Sequence, residues 1–159
     1  MLNLPCLFIL TNSRLRLRSS KILIAGLNGL GAEISKNIIL AGVKSVSFLD
    51  HRKVTELDFA SNFFIPRDEL GKNRAEASRA RAQALNPMVE VKVDEGNLAE
   101  KDEEFFKNFD VVVVLEASLA EQTRVDNICR ANNIKFYAAD MWGMFGYSFV
   151  DLQEHEFVE

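Results

Sequence analysis

Short apolar blocks alternate with amphipathic stretches along most of this chain. Lys21–Ala25 (KILIA) and Val111–Leu115 (VVVVL) are near-continuous apolar runs, the pattern of strands buried on both faces in a parallel sheet. Ser45–Leu49 (SVSFL) is the second strand in chain order and stops at Asp50. Between them, Ala32–Ala41 places Ile34, Ile38 and Ala41 on one stripe, as a helix requires, and Gly42 ends it. Lys72–Leu85 reads as a second helix, with Ala75, Ala82 and Leu85 available for packing, and Asn86–Pro87 stops it. Asp102–Asn108 is a short helix, and Ala120–Asn132 a longer one ending in Asn-Asn. Val89–Val93, Ile134–Ala138 and a last segment over Tyr147–Leu152 complete the strands.

Strand and helix alternate, which predicts an α/β chain: a doubly wound, mostly parallel, Rossmann-like sheet with helices on both faces and right-handed crossovers. In such sheets ligands sit beyond the carboxyl ends of the strands. That rim gathers Gly26–Gly31, Asp50, Leu115–Ser118 and Asp140–Gly143. The stretch from His51 to Leu70 has no clear periodicity. A loop of that size is functional or disordered, and its ASNFFIP core is too apolar for plain disorder.

The length of 159 residues suits one domain. A net charge of -4 leaves no nucleic-acid footprint, and the local cluster Arg14, Arg16, Arg18 reads as a solvated face. Cys6 and Cys129 form no CxxC pair, so no structural metal site is expected, and an intracellular compartment is the default. Met1–Leu10 is apolar but short, with Pro5 in its middle and no basic leader. It reads as a hydrophobic arm or a non-standard start, neither an export signal nor a membrane span.

The candidate chemistry starts at Ile24–Gly31, IAGLNGLG. The dinucleotide fingerprint G-x-G-x-x-G is filled at its first and third glycines by Gly26 and Gly31, while Asn28 stands at the second, where a phosphate comes closest. Asp50 lies about 20 residues on, where an acidic residue binds a ribose hydroxyl. Two readings stand side by side. The loop holds a nucleotide, or Gly29 and Gly31 serve only the tight strand–helix junction. No catalytic residue is expected: His51 and His155 read as surface histidines, and Cys129 as a core residue on a helix.

More of the chain then falls into a known pattern. ILIAGLNGLGAEISKNIILAGVKSVSFLDHRKVTELD, followed by GKNRAEASRARAQALNPMVEVKV and NIKFYAADMWGMFGYSFVDLQEHEFVE, resembles the ubiquitin-like-protein activating enzymes, the ThiF/MoeB superfamily. Within it the likeness is to the smaller, non-catalytic subunits of the SUMO-activating branch. The resemblance covers residues 16–159 and leaves 1–15 as a non-matching arm. It implies an adenylation-type domain, in whose active members ATP lies on the glycine loop with its ribose on the counterpart of Asp50. An Asn and an Arg of an N-R-Q-F stretch, and a Lys after G-x-x-K-A, hold the phosphates, and an Asp after the fourth strand helps hold magnesium. In this sequence the N-R-Q-F stretch falls on Ala60-Ser61-Asn62-Phe63, the Lys on Arg74, and the magnesium Asp on Ala117, or on Glu116 if the register slips by one.

The resemblance therefore implies a vestigial cofactor site of Gly26, Gly29, Gly31, Asp50 and Arg74, with no metal ligand. No cofactor is expected on this chain, with ATP and magnesium held by the partner. That partner is the catalytic subunit of a heterodimeric SUMO-activating enzyme, which adenylates SUMO and passes it to a cysteine. SUMO is met indirectly, no nucleic-acid or membrane partner is expected, and the implied compartment is the nucleus, with the cytoplasm second. The smaller subunits begin with a YDRQIRLWG helix that Met1–Ser13 does not fit, and the match stops at EHEFVE, so a truncated form is expected. Phe59–Phe64 and Trp142–Phe149 are candidate contact surfaces or, equally, local core. The alternative reading is a self-sufficient nucleotide-binding adenylating enzyme or an NAD-type oxidoreductase.

Overall fold

Six strands form one sheet in the order β3-β2-β1-β4-β5-β6, in a computed structural model that describes residues 17–155. The elements are β1 (Lys21–Ala25), α1 (Gly29–Ala41), β2 (Ser45–Leu49), α2 (Asp58–Ser61), α3 (Arg74–Leu85), β3 (Glu90–Asp94), α4 (Glu103–Phe106), β4 (Val111–Leu115), α5 (Leu119–Ala131), β5 (Lys135–Trp142) and β6 (Phe145–Asp151). The first five strands run parallel, and β6 returns antiparallel on β5. The chain is thus the doubly wound α/β sheet that its alternating pattern predicts.

Alternate residues of each strand feed opposite layers, because side chains on a strand repeat every two positions. Ile24, Phe48 and Val113 enter a cluster with Leu27, Ile39 and Ala75, under α1 and α3. Leu23, Val112 and Phe136 enter the opposite cluster with Val125, Cys129 and Phe106, under α5 and α4. The helix ends are fixed locally. Gly42 closes α1 in a left-handed conformation with φ 83°. Asn73 accepts the Ala75 and Glu76 amides at the start of α3, and Ser118 and Glu121 form a capping box on α5.

Several elements shift by one to three residues: β6 starts at Phe145 rather than Tyr147, and the short helix covers only Glu103–Phe106. Three differences are larger or change the picture. Helix α1 starts at Gly29 rather than Ala32, because Asn28 caps it and the end of the glycine loop is its first turn. The stretch from 51 to 70 holds α2 and a 3-10 turn over Arg67–Glu69, and it buries Val54, Phe64 and Ile65. Strand β5 continues four residues past Ala138 to Trp142. A two-residue turn then leads into β6, with Gly143 at φ 58° in the first turn position, where glycine relieves the left-handed strain. Asp140–Gly143 therefore stand in a hairpin arm beyond the last β4–β5 pair, Leu115 with Ala139. No helix among the described residues is long and apolar enough to cross a membrane.

An ion pair of Arg130 with Asp151 ties α5 to β6, and Asp126 lies beside it. Oδ1 of Asp126 is buried without a hydrogen-bond partner. Burial, then the neighbouring charge of Asp151, raise the Asp126 pKa, while Arg130 partly opposes them. Asp151 is held low, first by the Gln153 backbone N–H and then by Arg130. The folded pKa of Asp126 lies above its unfolded value, so the unfolded chain releases this proton first. Its contribution to stability then falls as pH rises above the ordinary 3.8 and through the raised value. Asp126→Asn is expected to raise the melting temperature at pH 7 and to leave it nearly unchanged at a pH below the ordinary carboxylate value. Thermal melts at the two pH values check this.

Candidate functional site

The carboxyl rim of the sheet is occupied by the protein's own side chains. At the end of β1, Gly26 takes φ 101°, and a Cβ there would stand 2.7 Å from the Leu115 carbonyl oxygen. A Cβ on Gly31 would meet the Gly26 carbonyl oxygen at 2.2 Å, and one on Gly29 would meet Ser61 Cβ at 2.8 Å. Each glycine of the loop thus answers to a close approach within the chain, with no phosphate needed to explain it. Asn28, at the second glycine position, has an ordinary extended backbone. Its Oδ1 accepts the Gly31 N–H at 2.9 Å. That amide is one of the free donors that a helix start offers to an anion. Here a neutral side chain of the same protein takes it.

Asp50, at the end of β2, is 4% exposed. Its Oδ2 accepts the Leu27 N–H at 2.8 Å and the Arg74 Nε at 2.7 Å, and its Oδ1 accepts the Arg52 N–H at 2.9 Å. Arg74, the first residue of α3, is 5% exposed. It also reaches Asp58 Oδ1 at 3.2 Å and pairs closely with Oε2 of Glu116. Burial works against its charge, but Asp50 and Glu116 outweigh that and hold the guanidinium pKa above its ordinary value. Glu116 follows β4 with φ 53°, and its Oε1 pairs with Arg52 Nη1 at 2.8 Å. Asp58 turns its other oxygen to the Thr55 N–H and hydroxyl, both at 2.8 Å.

A cavity of about 80 Å³ remains, lined by Gly26, Asp50, Arg52, Arg74, Glu116 and Ala117 among others. Pockets for cofactors and drug-sized ligands run to roughly 300–1,000 Å³.

The sheet brings together every residue of the vestigial set: Gly26, Gly29, Gly31, Asp50 and Arg74. Of the two residues considered for the magnesium position, Ala117 lines the cavity without a ligating group, and Glu116 is engaged by two arginines. Ser61 packs against the start of α1, and Asn62 donates to the Leu27 carbonyl at 2.7 Å, tying the long loop to the glycine loop. Sequence reasoning missed Arg52 and Asp58. The Asp50-x-Arg52 spacing is a faint signal for the first. The second comes into reach only through the fold of the 51–70 stretch.

His51 lines the mouth of the rim cavity but is exposed, and the remaining candidates lie apart from the rim. His155 is exposed. Arg18 is exposed, while Arg14, Arg16, Cys6 and Met1–Leu10 lie outside the described residues. Phe64 is core, Phe63 is exposed, and the hairpin Trp142–Phe149 carries a run of exposed apolar residues. Cys129 is fully buried on α5. Burial, then Asp126 and Asp151, push its thiol up to about 12. A maleimide at pH 8 is therefore expected to leave Cys129 unmodified in the native chain and to label it in urea, read by peptide mass mapping.

These features define a class: a Rossmann-like domain whose carboxyl-rim side chains are engaged with one another. A model of the ThiF family matches residues 3–156, and the chain belongs to that family. The chain is 53% identical over 144 residues to the SUMO-activating enzyme subunit 1 of Homo sapiens and 52% identical over 144 residues to that of Xenopus tropicalis. It is 50% identical over 145 residues to the protein of the same name from Danio rerio. Each match covers 91% of this chain and 42% of the relative, so the chain spans less than half the length of these relatives.

Proposed function

We propose that this chain is the non-catalytic member of a heterodimeric SUMO-activating enzyme. It pairs with a catalytic subunit that adenylates SUMO and passes it to a cysteine, and ATP and magnesium stay with that subunit. The observation that carries the reading is the closed rim. Asp50, where a ribose would bind, already accepts three protein donors, and the cation above it is spent on three carboxylates. Asn28 takes an amide that a phosphate would use. Among the described residues no cluster of His, Cys, Asp and Glu could hold a metal ion. The residues present do not fit a magnesium nucleotide, and no chemical step runs through this rim. The family membership and the relatives' names supply the pathway.

What the chain contributes is a scaffold and a surface. Phe63 and the Trp142–Phe149 hairpin are the exposed parts of the two candidate contact regions. The compartment is the nucleus, where a fluorescent fusion would place it.

The test is reconstitution. The chain is mixed with the catalytic subunit, SUMO, ATP and magnesium, and SUMO thioester is measured with and without it. Co-purification and thioester that depends on the chain are expected. A chain that neither co-purifies nor supports thioester loses this assignment. Calorimetric titration of the chain alone with ATP and magnesium is expected to be flat, and tight magnesium-dependent binding would return the self-sufficient enzyme as the better reading.

A further inference from the structure

Strand β6 is exposed from Phe145 to Val150 and buried only at Asp151, its last residue. A carboxylate is an unusual anchor, because burying its charge is costly unless partners offset it. Two partners are fixed. Arg130 Nη2 pairs with Asp151 Oδ2 at 2.5 Å, and the Gln153 N–H donates to Oδ1 at 2.8 Å. Gln153 turns its side-chain amide to the carbonyls of Cys129 and Ile134, at 3.3 and 2.8 Å. The end of β6 is thus tied to the C-terminal end of α5 and to the entry of β5.

A second carboxyl group reaches the same point. Asp126 lies one turn before Arg130 on α5, and its side chain is within hydrogen-bonding reach of Asp151. Among the described residues, Asp126 Oδ1 is the one buried side-chain polar atom without a partner. Ionised carboxylates only accept hydrogen bonds, so two in reach of each other need a proton between them. The other groups near Asp126 do not replace it. Cys129 is a neutral thiol on the same helix, and the Tyr147 hydroxyl already accepts from Gln122. Lys135, on β5, donates to the Leu152 carbonyl. Arg130 is a cation with its side chain 63% exposed, and the exposed Glu154 beside it adds negative charge.

We propose that Asp126 and Asp151 hold one proton between them and form a pH-sensitive clasp that fixes the end of β6 to α5. With the proton in place, Asp126 donates to the Asp151 carboxylate, and the pair carries a single negative charge opposite Arg130. When the proton leaves to solvent, two like charges meet across the α5–β6 contact, and one solvated guanidinium does not neutralise both. The strand end then rests on the Gln153 bonds and on its ladder with β5. Asp151 is held below the ordinary 3.8, first by the Gln153 N–H and then by Arg130. Asp126 is held above it, first by burial and then by Asp151. The closed pair belongs to the window between those two steps, and it opens as pH rises through the upper one. The inference does not depend on the proposed function, since it needs neither SUMO nor a catalytic subunit.

Carboxyl-carbon NMR on the full chain tests it. Asp126 and Asp151 are expected to titrate as a coupled pair, with one step below and one above the ordinary value, and Asp151→Asn should move the Asp126 step down. Hydrogen exchange, corrected for the intrinsic effect of pH, gives the local readout. Protection of the amides from Phe149 to Gln153 should fall several-fold as pH rises through the upper step. In Asp126→Asn the side-chain amide supplies the donor at every pH, so protection should stay high with no step. A single Asp126 step at the ordinary value overturns the proposal. So does wild-type protection that matches Asp126→Asn throughout, or an equal loss at the β1 amides, which would mark a global effect.

Discussion

Arg74→Ala is expected to destabilise the fold by about 3–5 kcal/mol, the usual cost of removing one member of a buried ion network. The guanidinium is the shared cation of Asp50, Asp58 and Glu116, and its side chain is almost wholly out of solvent. Truncation leaves Asp50 and Asp58 buried with no cation in contact. Asp50 keeps two backbone donors, from Leu27 and Arg52, which soften the loss without supplying charge. Arg74→Lys is expected to recover only part of it. A single ammonium on a flexible stem cannot reproduce a planar fork that reaches three carboxylates. Urea unfolding of the three proteins gives the ordering, and an Arg74→Ala loss below about 1 kcal/mol, the scale of a surface ion pair, would show that the network is solvated. The same experiment separates two histories of the site. A cation kept for a phosphate would leave the fold indifferent to its removal, whereas a cation that organises the rim would not.

Gly31→Ala is the second large effect, at about 3 kcal/mol, the upper part of the range for overpacking a tight interior. Inside a helix an alanine ordinarily gains close to 1 kcal/mol over glycine. Here its Cβ would lie 2.2 Å from a backbone carbonyl oxygen, and no side-chain rotation relieves that contact. Strand β1 and helix α1 would have to move apart. Gly71 provides the comparison. Its φ is 80° with nothing within 4 Å of the added atom. Gly71→Ala therefore costs only the left-handed strain, about 1–2 kcal/mol. Chemical denaturation of both variants should place Gly31→Ala below Gly71→Ala in stability, and the reverse order would remove the packing account of the fingerprint glycines.

The limits of β1, β2 and β4 are legible residue for residue, because strands buried on both faces leave short, mostly apolar runs bounded by polar or turn residues. The β5–β6 arm is not. Its residues are exposed, so no burial pattern marks them, and only Gly143 signals the turn. The 51–70 stretch hides for another reason. Its apolar residues Val54, Phe64 and Ile65 serve tertiary contacts with no period. At the rim, the glycine loop and Asp50 follow from spacing, and Arg74 from the family pattern. The role of Asn28 is hidden because the apolar stripe of α1 begins only after its first turn, so the cap looks like an odd loop position. Of the partners of Arg74, Asp50 and Glu116 fall on the same rim in the sequence, whereas Asp58 comes into reach only when the 51–70 stretch folds.

The hairpin carries one more consequence, in time rather than in space. Strands β5 and β6 meet across two residues, so their pairing needs almost no chain closure and can form within about 1–10 μs. The central pairing of Ile22 with Val111 needs the whole intervening stretch to organise first, and parallel, long-range pairing of that kind is slow. During synthesis or refolding the β5–β6 hairpin can therefore exist before the core that should anchor it. Crowded chains at that stage would meet edge to edge, and the order of events, more than the final stability, would set the yield of native protein.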